Sequence, residues 1–495
     1  MNFFKLSMPM TTGLFLLGAL LACSNPPHLQ KPPVSRQASF PTLPLLTPTN
    51  LPRPTLLPTF HPPAATPSHT PNSTNISQYY RLNPYIGELR LVRNPNPNTS
   101  ECEQPSPFYL PSQNLQAVAH VKTGVCFNGE IGLFEMGGRR YVVLSGGTEA
   151  AYSLIDVSDA STPRLLGVWS FRPWTYTADV KPFRIGERWY LALAMESVSD
   201  IQPCGVAIVD VSEAQMPVLV ANLQGYAIGS ETAWCNVHTT EIVTNAAGEA
   251  THLLVSSDDT FDLRVVDLSN LPSTQETGKF AHQDFRIHNG NVETFVHDST
   301  VVGERVYVAY WSGGVQVLDT AALVSGADSA SVTLNPFGSL APANFQVHHA
   351  YPSADGQFLF IEDEVNDAKG FSQLRWYDIR NLQAPKFIGE IYPQAGANPL
   401  SPPHNLLVQA DLLFVGWYKD GVQVFRYDTS QPNAPSIERY AYQAVREDAD
   451  SMGIGYELFD GIYGVRVQNC VLAGVVRQCV YASDLTLGLL ILALE

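Results

Sequence analysis

The stretch "AYSLIDVSDASTPRLLG" (residues 151–167) decides the fold. It reads as an apolar strand ending at Asp156, a polar turn closed by Pro163, and the start of a second strand. The phrase returns as "GVAIVDVSEAQMPVLV" (205–220), "LRVVDLSNLP" (263–272), "GVQVLDT" (314–320), "LRWYDIRNLQAPKFIG" (374–389), "GVQVFRYD" (421–428) and "GLLILALE" (488–495). The aspartates Asp156, Asp210, Asp267, Asp319 and Asp378 are 54, 57, 52 and 59 residues apart. The sixth copy extends to Asp428, and the seventh has no aspartate. Self-similarity at such a period is the mark of a repeat architecture. The aspartates are best placed to cap turns through backbone N–H groups. A catalytic carboxylate has no reason to recur in every repeat.

Each period contains four strand-like runs and no long helical pattern. The fifth shows them plainly: "FQVHHAY" (345–351), "QFLFIED" (357–363), "LRWYDI" (374–379) and "PKFIGEIY" (385–392). Four strands per copy and seven copies predict an all-β, seven-bladed β-propeller. The seventh copy stops after its third strand. At the other end, "PYIGELRLVR" (84–93) matches "APKFIGEIYP" (384–393). The N-terminal strand at about residues 84–93 is therefore expected to complete the last blade and remove its open edge.

The phrases "SLIDVSDASTP" (153–163), "AIVDVSEAQMP" (207–217) and "VVDLSNLP" (265–272) resemble LVIVD repeats. From about residue 115 to 495 the chain also resembles the choice-of-anchor B proteins of bacterial envelopes. The segments "FLFIEDE" (358–364), "LFVGWYKDGVQVF" (413–425) and "VYASDLTLGLLIL" (480–492) carry that likeness. The resemblance implies a propeller held at the cell envelope. It implies no particular chemistry, since one fold hosts many activities.

The N-terminus reads as an address. Lys5 precedes an apolar run from Leu14 to Ala22, too short to span a bilayer and typical of a signal peptide. "LLAC" (20–23) resembles a lipobox, which implies a lipidated Cys23 after removal of residues 1–22. Residues 23–78 form a Pro/Ser/Thr-rich tether holding 14 of the 37 prolines, a composition that cannot build a core. The propeller is assigned to residues 79–495. Beyond Cys23 there are six cysteines, and local pairs are expected at Cys102–Cys126, Cys204–Cys235 and Cys470–Cys479. The net charge of −17 and the absence of a basic stripe argue against nucleic acid as a partner. Charged residues make up 15%, low for a cytosolic domain.

A histidine recurs at one point of four repeats: His238 in "CNVHTTEIV" (235–243), His297 in "ETFVHDSTVV" (293–302), His348 in "FQVHHAYPS" (345–353) and His404 in "SPPHNLLVQ" (401–409). Each falls on the first, innermost strand of its blade, which lines the central channel. Asp179, Tyr463 and His120 take the equivalent slot in blades two, seven and one. One reading is a ring of imidazoles that binds Cu, Zn, Fe or Ni. The other is a structural habit in which each histidine bonds the neighbouring blade, or a ring that holds only water. His348 and His349 cannot share one site, because successive strand residues point to opposite faces. No nucleophile elbow, phosphate loop or Rossmann glycine pattern is present. The expected function is therefore a monomeric, membrane-anchored, extracytoplasmic binding or scaffolding lipoprotein, with a protein or glycan partner. A metal-dependent, oxidoreductase-like enzyme is the alternative.

Overall fold

The computed structural model describes residues 89–94, 106–147, 150–196, 203–226, 233–257, 260–281, 287–288, 291–292, 294–326, 346–365, 373–393, 401–431, 433–446 and 459–495. They form a seven-bladed propeller of antiparallel sheets. The innermost strands are Ile131–Met136, Tyr176–Ile185, Val237–Thr244, Asp298–Val302, Gln346–Pro352, His404–Gln409 and Ile462–Leu472, and each touches the next around a closed circle. Three strands of blade four are described, ending at Val315–Asp319. The proposed signal peptide, Cys23, the tether and Cys102 lie outside the described residues.

The apolar core is divided among the blade junctions. Phe134, Tyr141 and Val143 of blade one pack on Val180, Leu191 and Leu193 of blade two. Similar clusters fill the other six junctions, including blade seven on blade one through Tyr481, Ile491, Ile131 and Leu144. Successive residues of one strand face opposite neighbours: Leu253 and Val255 pack toward blade two, and Leu254 toward blade four. Both faces of every sheet are covered, which is why the repeat phrase is a continuous apolar run. The recurrent aspartates do cap turns. Asp156, Asp210, Asp267, Asp378 and Asp428 each accept the backbone N–H of the residue two positions on, at 2.7–3.1 Å. Asp319 instead caps the short helix Thr320–Val324 through the Ala322 N–H, 2.8 Å away.

The ring is closed by an N-terminal strand, but not by the expected one. Leu115–Val121 pairs antiparallel with Gly488–Leu494 and supplies the outer strand of blade seven. The expected segment contributes Arg90–Arg93, which adds a fifth strand outside Arg164–Arg172 of blade one. Its sequence is that of an outer strand, and outer strands of any blade carry the same pattern. Choosing which edge it covers takes the backbone. Ser112–Gln113 likewise adds to the outer strand of blade six.

Two expected disulfides are present. Cys204–Cys235 joins blade two to the entry of blade three with Cα atoms 5.1 Å apart, and Cys470–Cys479 crosses the first hairpin of blade seven at 5.7 Å. Cys126 is also disulfide-bonded. No helix among the described residues is long and apolar enough to cross a membrane.

The two N-terminal strands should differ in consequence. Ile491→Asp puts an unpaired charge at the fully buried closure and should cost about 4 kcal/mol or more. Leu91→Pro, on the added edge strand, should cost only ~1 kcal/mol. Urea unfolding of both variants checks this, and equal losses would contradict the assigned closure.

Candidate functional site

The four repeated histidines come together on the axis. Ring centroids are 4.6 Å apart for His238 and His297, 4.2 Å for His297 and His348, and 4.2 Å for His348 and His404. Tyr463 continues the arc at 3.9 Å from His404. Phe127, just before blade one, lies 6.1 Å from Tyr463, and Tyr176 of blade two lies 5.7 Å from Phe127. Every blade thus contributes one ring: four imidazoles on one side, and two phenols and a phenyl on the other. Trp311 stacks on His297 at 5.0 Å, and Tyr418 lies 5.0 Å from His404.

Local backbone geometry brings these side chains to the axis. The innermost strands of blades two, three, five, six and seven share a break in pairing register near their first residues. His238, His348 and Tyr463 are the extra residue of the break in their strands, and in blade six the break follows His404 directly. A bulge of this kind leaves one residue outside the ladder and re-aims its side chain.

His120 does not belong to the ring. It sits on the closure strand, and its Nε2 lies 2.7 Å from the Leu487 carbonyl oxygen. The sequence placed it on an innermost strand because "AVAHV" has the same apolar framing. The true first strand of blade one begins at Ile131, with buried Glu130 just before it. His349 faces away from the arc, as alternation requires. Its Nδ1 accepts the Leu406 N–H at 3.2 Å, and its Nε2 lies 2.9 Å from Thr300 Oγ1, so it ties blades four, five and six together.

Carboxylates flank the arc on the mouth side. Second strands run antiparallel to the first, so their ends return to the height of the histidines. Glu196 ends the second strand of blade two and lies 2.6 Å from His238 Nδ1. Glu364 lies near the end of the equivalent strand of blade five, with Oε2 3.7 Å from His348 Nε2, and its Oε1 accepts the Tyr418 hydroxyl at 2.8 Å. Glu362 lies 3.2 Å from His348 Nδ1 and accepts the Asn405 N–H at 2.6 Å. His404 Nδ1 donates to the Tyr463 carbonyl at 2.7 Å. Reading the sequence alone missed Glu196, Phe127 and Tyr176. A carboxylate closing the second strand, as in "LALAMES" (191–197), was the available signal.

Below the arc is a buried polar belt. Asp179 pairs with Lys181 at 3.0 Å and accepts both the N–H and hydroxyl of Thr240. Glu130 pairs with Arg466 at 2.9 Å and accepts the Asn405 amide. A cavity of about 20 Å³ lies between belt and arc, lined in part by Asp179, Asp298 and all four histidines. That is room for one water-sized guest.

Burial sets the protonation states. His297 and His348 are held far below the ordinary imidazole pKa by burial and then by neighbouring imidazoles, and His349 by burial and then Lys181. Burial lowers His404 to about 3. Burial raises Glu362 well above the usual carboxyl range and raises Asp298 to about 7. Burial opposes the charge on Lys181, but Asp179 and three further carboxylates outweigh it and hold the ammonium above its ordinary pKa. His297, His348 and His404 of the arc are therefore neutral imidazoles. His297, His348 and Glu364 present donor atoms that all lie within 4.8 Å of one another, the grouping best able to hold a metal.

No family model matches the chain, and no curated protein matches it. Among solved structures it is similar to a chain of the mitotic checkpoint complex, at 10% identity and a TM-score of 0.44, over 89% of this chain and 98% of that one. It is also similar to the computationally designed Ika8 protein, at 9% identity and a TM-score of 0.39, over 77% and 100%. At these scores neither likeness adds to the fold established by strand pairing.

The neutral arc makes stability depend on pH. An unfolded histidine takes up a proton near pH 6.5, whereas His404 in the fold stays neutral down to about 3. Below pH 6.5 the unfolded chain binds the extra proton, so this contribution is intact above pH 6.5 and is lost as the pH falls. Asp298 and Glu362 act in the opposite sense, so the histidine term is isolated by substitution. Between pH 7 and pH 5 the wild type should lose ~2 kcal/mol more than His404→Gln. Urea unfolding with a chelator present measures both, and equal losses would show that His404 titrates normally in the fold.

Proposed function

We propose that the chain is a lipid-anchored envelope protein of the LVIVD type that displays its propeller outside the cytoplasm, as a binding or scaffolding module for a protein or glycan. The observation that carries this reading is the contrast between the two ends of the propeller. At the end remote from the histidines, five first-to-second strand connections are two-residue turns, among them Met136–Arg139, Val302–Arg305 and Leu472–Val475. Such turns leave little chain of their own to recognise anything; the longer third-to-fourth connections at that end are held by the turn aspartates, beside a cavity of about 380 Å³ lined by Arg305, Gln357 and Leu382. Among the described residues, the second strands end, and the third and first strands begin, at the histidine end, and 17 residues separate Phe280 from Asp298 there. Recognition residues concentrate on such connections. Trp174, between blades one and two, is 46% exposed at that end.

Two further features support the reading. The disulfides fit an oxidising compartment. The axial cavity accommodates one water-sized guest, far less than the 300–1,000 Å³ or so of an ordinary organic-ligand pocket. That favours recognition at the mouth over turnover of an organic substrate inside the channel.

Two experiments on expressing cells test it. Radiolabelled palmitate should enter the wild type and not Cys23→Ser. A photo-crosslinking residue at Trp174 should give a discrete adduct, and one at Glu304, on the opposite face, should not. Absence of label from the wild type would remove the anchor, and equal crosslinking from both faces would remove the mouth as the binding surface.

A further inference from the structure

We infer that the axial arc is a binding site for one divalent first-row transition-metal ion, held by His297, His348 and the carboxylate of Glu364, with His404 beside it. This goes beyond the binding role proposed above and stands whether or not the chain is lipid-anchored.

The proton positions carry the inference. A carbonyl oxygen can only accept, so His404 Nδ1, 2.7 Å from the Tyr463 oxygen, bears the ring proton and leaves the lone pair on Nε2. His348 Nδ1 lies 3.2 Å from Glu362 Oε1, the oxygen that accepts the Asn405 N–H; with Nδ1 donating to it as well, the lone pair is on Nε2. That Nε2 then faces Glu364 Oε2 at 3.7 Å. A nitrogen lone pair and a carboxylate oxygen repel each other across such a gap unless a cation lies between them. His297, 3% exposed, has a buried Nδ1 with no hydrogen-bond partner among the described residues, an arrangement that costs free energy.

The dimensions agree. The three donor atoms lie within 4.8 Å of one another. Bonds of ~2.0 Å in a tetrahedral shell require donors ~3.3 Å apart, so the side chains need to close in by up to about 1.5 Å. The cavity of about 20 Å³ beneath the arc has room for the ion or its water. The donors select the ion class. Imidazoles with one carboxylate suit zinc, copper, nickel or ferrous iron, whereas calcium and magnesium need shells built mostly from oxygen. Glu362 and the Tyr463 carbonyl orient His348 and His404 as the outer partners of metal-bound histidines do.

The test uses the full chain, exported, detergent-solubilised and purified without a polyhistidine tag or chelator. Elemental analysis, before and after incubation with Zn²⁺, Cu²⁺, Ni²⁺ or Co²⁺ and dialysis, should find about one ion per chain. His348→Ala and Glu364→Gln should each lower affinity at least tenfold, and Co²⁺ should give tetrahedral visible bands in the wild type alone. Should His348→Ala fail to fold, Glu364→Gln decides, since it keeps the shape and removes the charge. A wild type that retains none of the ions would assign the histidines to the ring's own bonding. Undiminished binding in both variants would place any ion elsewhere.

Discussion

The antiparallel ladder between Leu115–Val121 and Gly488–Leu494 is the interaction on which the molecule depends. A propeller blade cannot bury its own faces, because each sheet is apolar on both sides. Tyr152, Leu254 and Ile491 are all fully covered, and only adjacent blades can cover them. Seven such junctions exist only if the circle is complete. Joining the two ends of the folded chain in one sheet makes the last junction as good as the other six and leaves no blade with a bare face.

The site follows from that closure. Once the innermost strands stand side by side, any residue at the same height in each blade is in van der Waals reach of its counterparts. In blades three, five and seven a bulge then re-aims His238, His348 and Tyr463, and the axis receives what the repeat holds at that point. Four blades hold histidine, and burial keeps His297, His348 and His404 neutral. Some of their bonding is structural, as in the bond from His404 to the backbone of the next blade. That bond also fixes which nitrogen carries the proton, so one contact serves the architecture and prepares a ligand.

The repeat made much of this readable before any coordinates. The 52–59-residue period gave the blade count, the turn aspartates gave the third-to-fourth strand connection, and the shared slot of His238, His297, His348 and His404 gave the arc. Three things were hidden, each for a physical reason. The edge covered by Arg90–Arg93 is chosen by three-dimensional adjacency, and outer strands look alike. His120 carries the apolar framing of an inner strand, yet it lies where the chain ends meet. Glu196 reaches the arc because antiparallel strands return to the same height; Glu364, at the end of the fifth repeat's second strand, was legible as a partner of the ring N–H groups.

The placement of Arg90–Arg93 has a mechanical consequence. A pull on the chain from its N-terminal side meets that four-residue ladder first, on the outside of blade one. Stripping it exposes an edge and takes Leu89 and Leu91 from the rim of the junction with blade two, while Arg164–Arg172 remains as the fourth strand. The strand acts as a sacrificial link. Load is spent on a replaceable contact, and the circle behind it keeps its shape until the force exceeds what that link can bear.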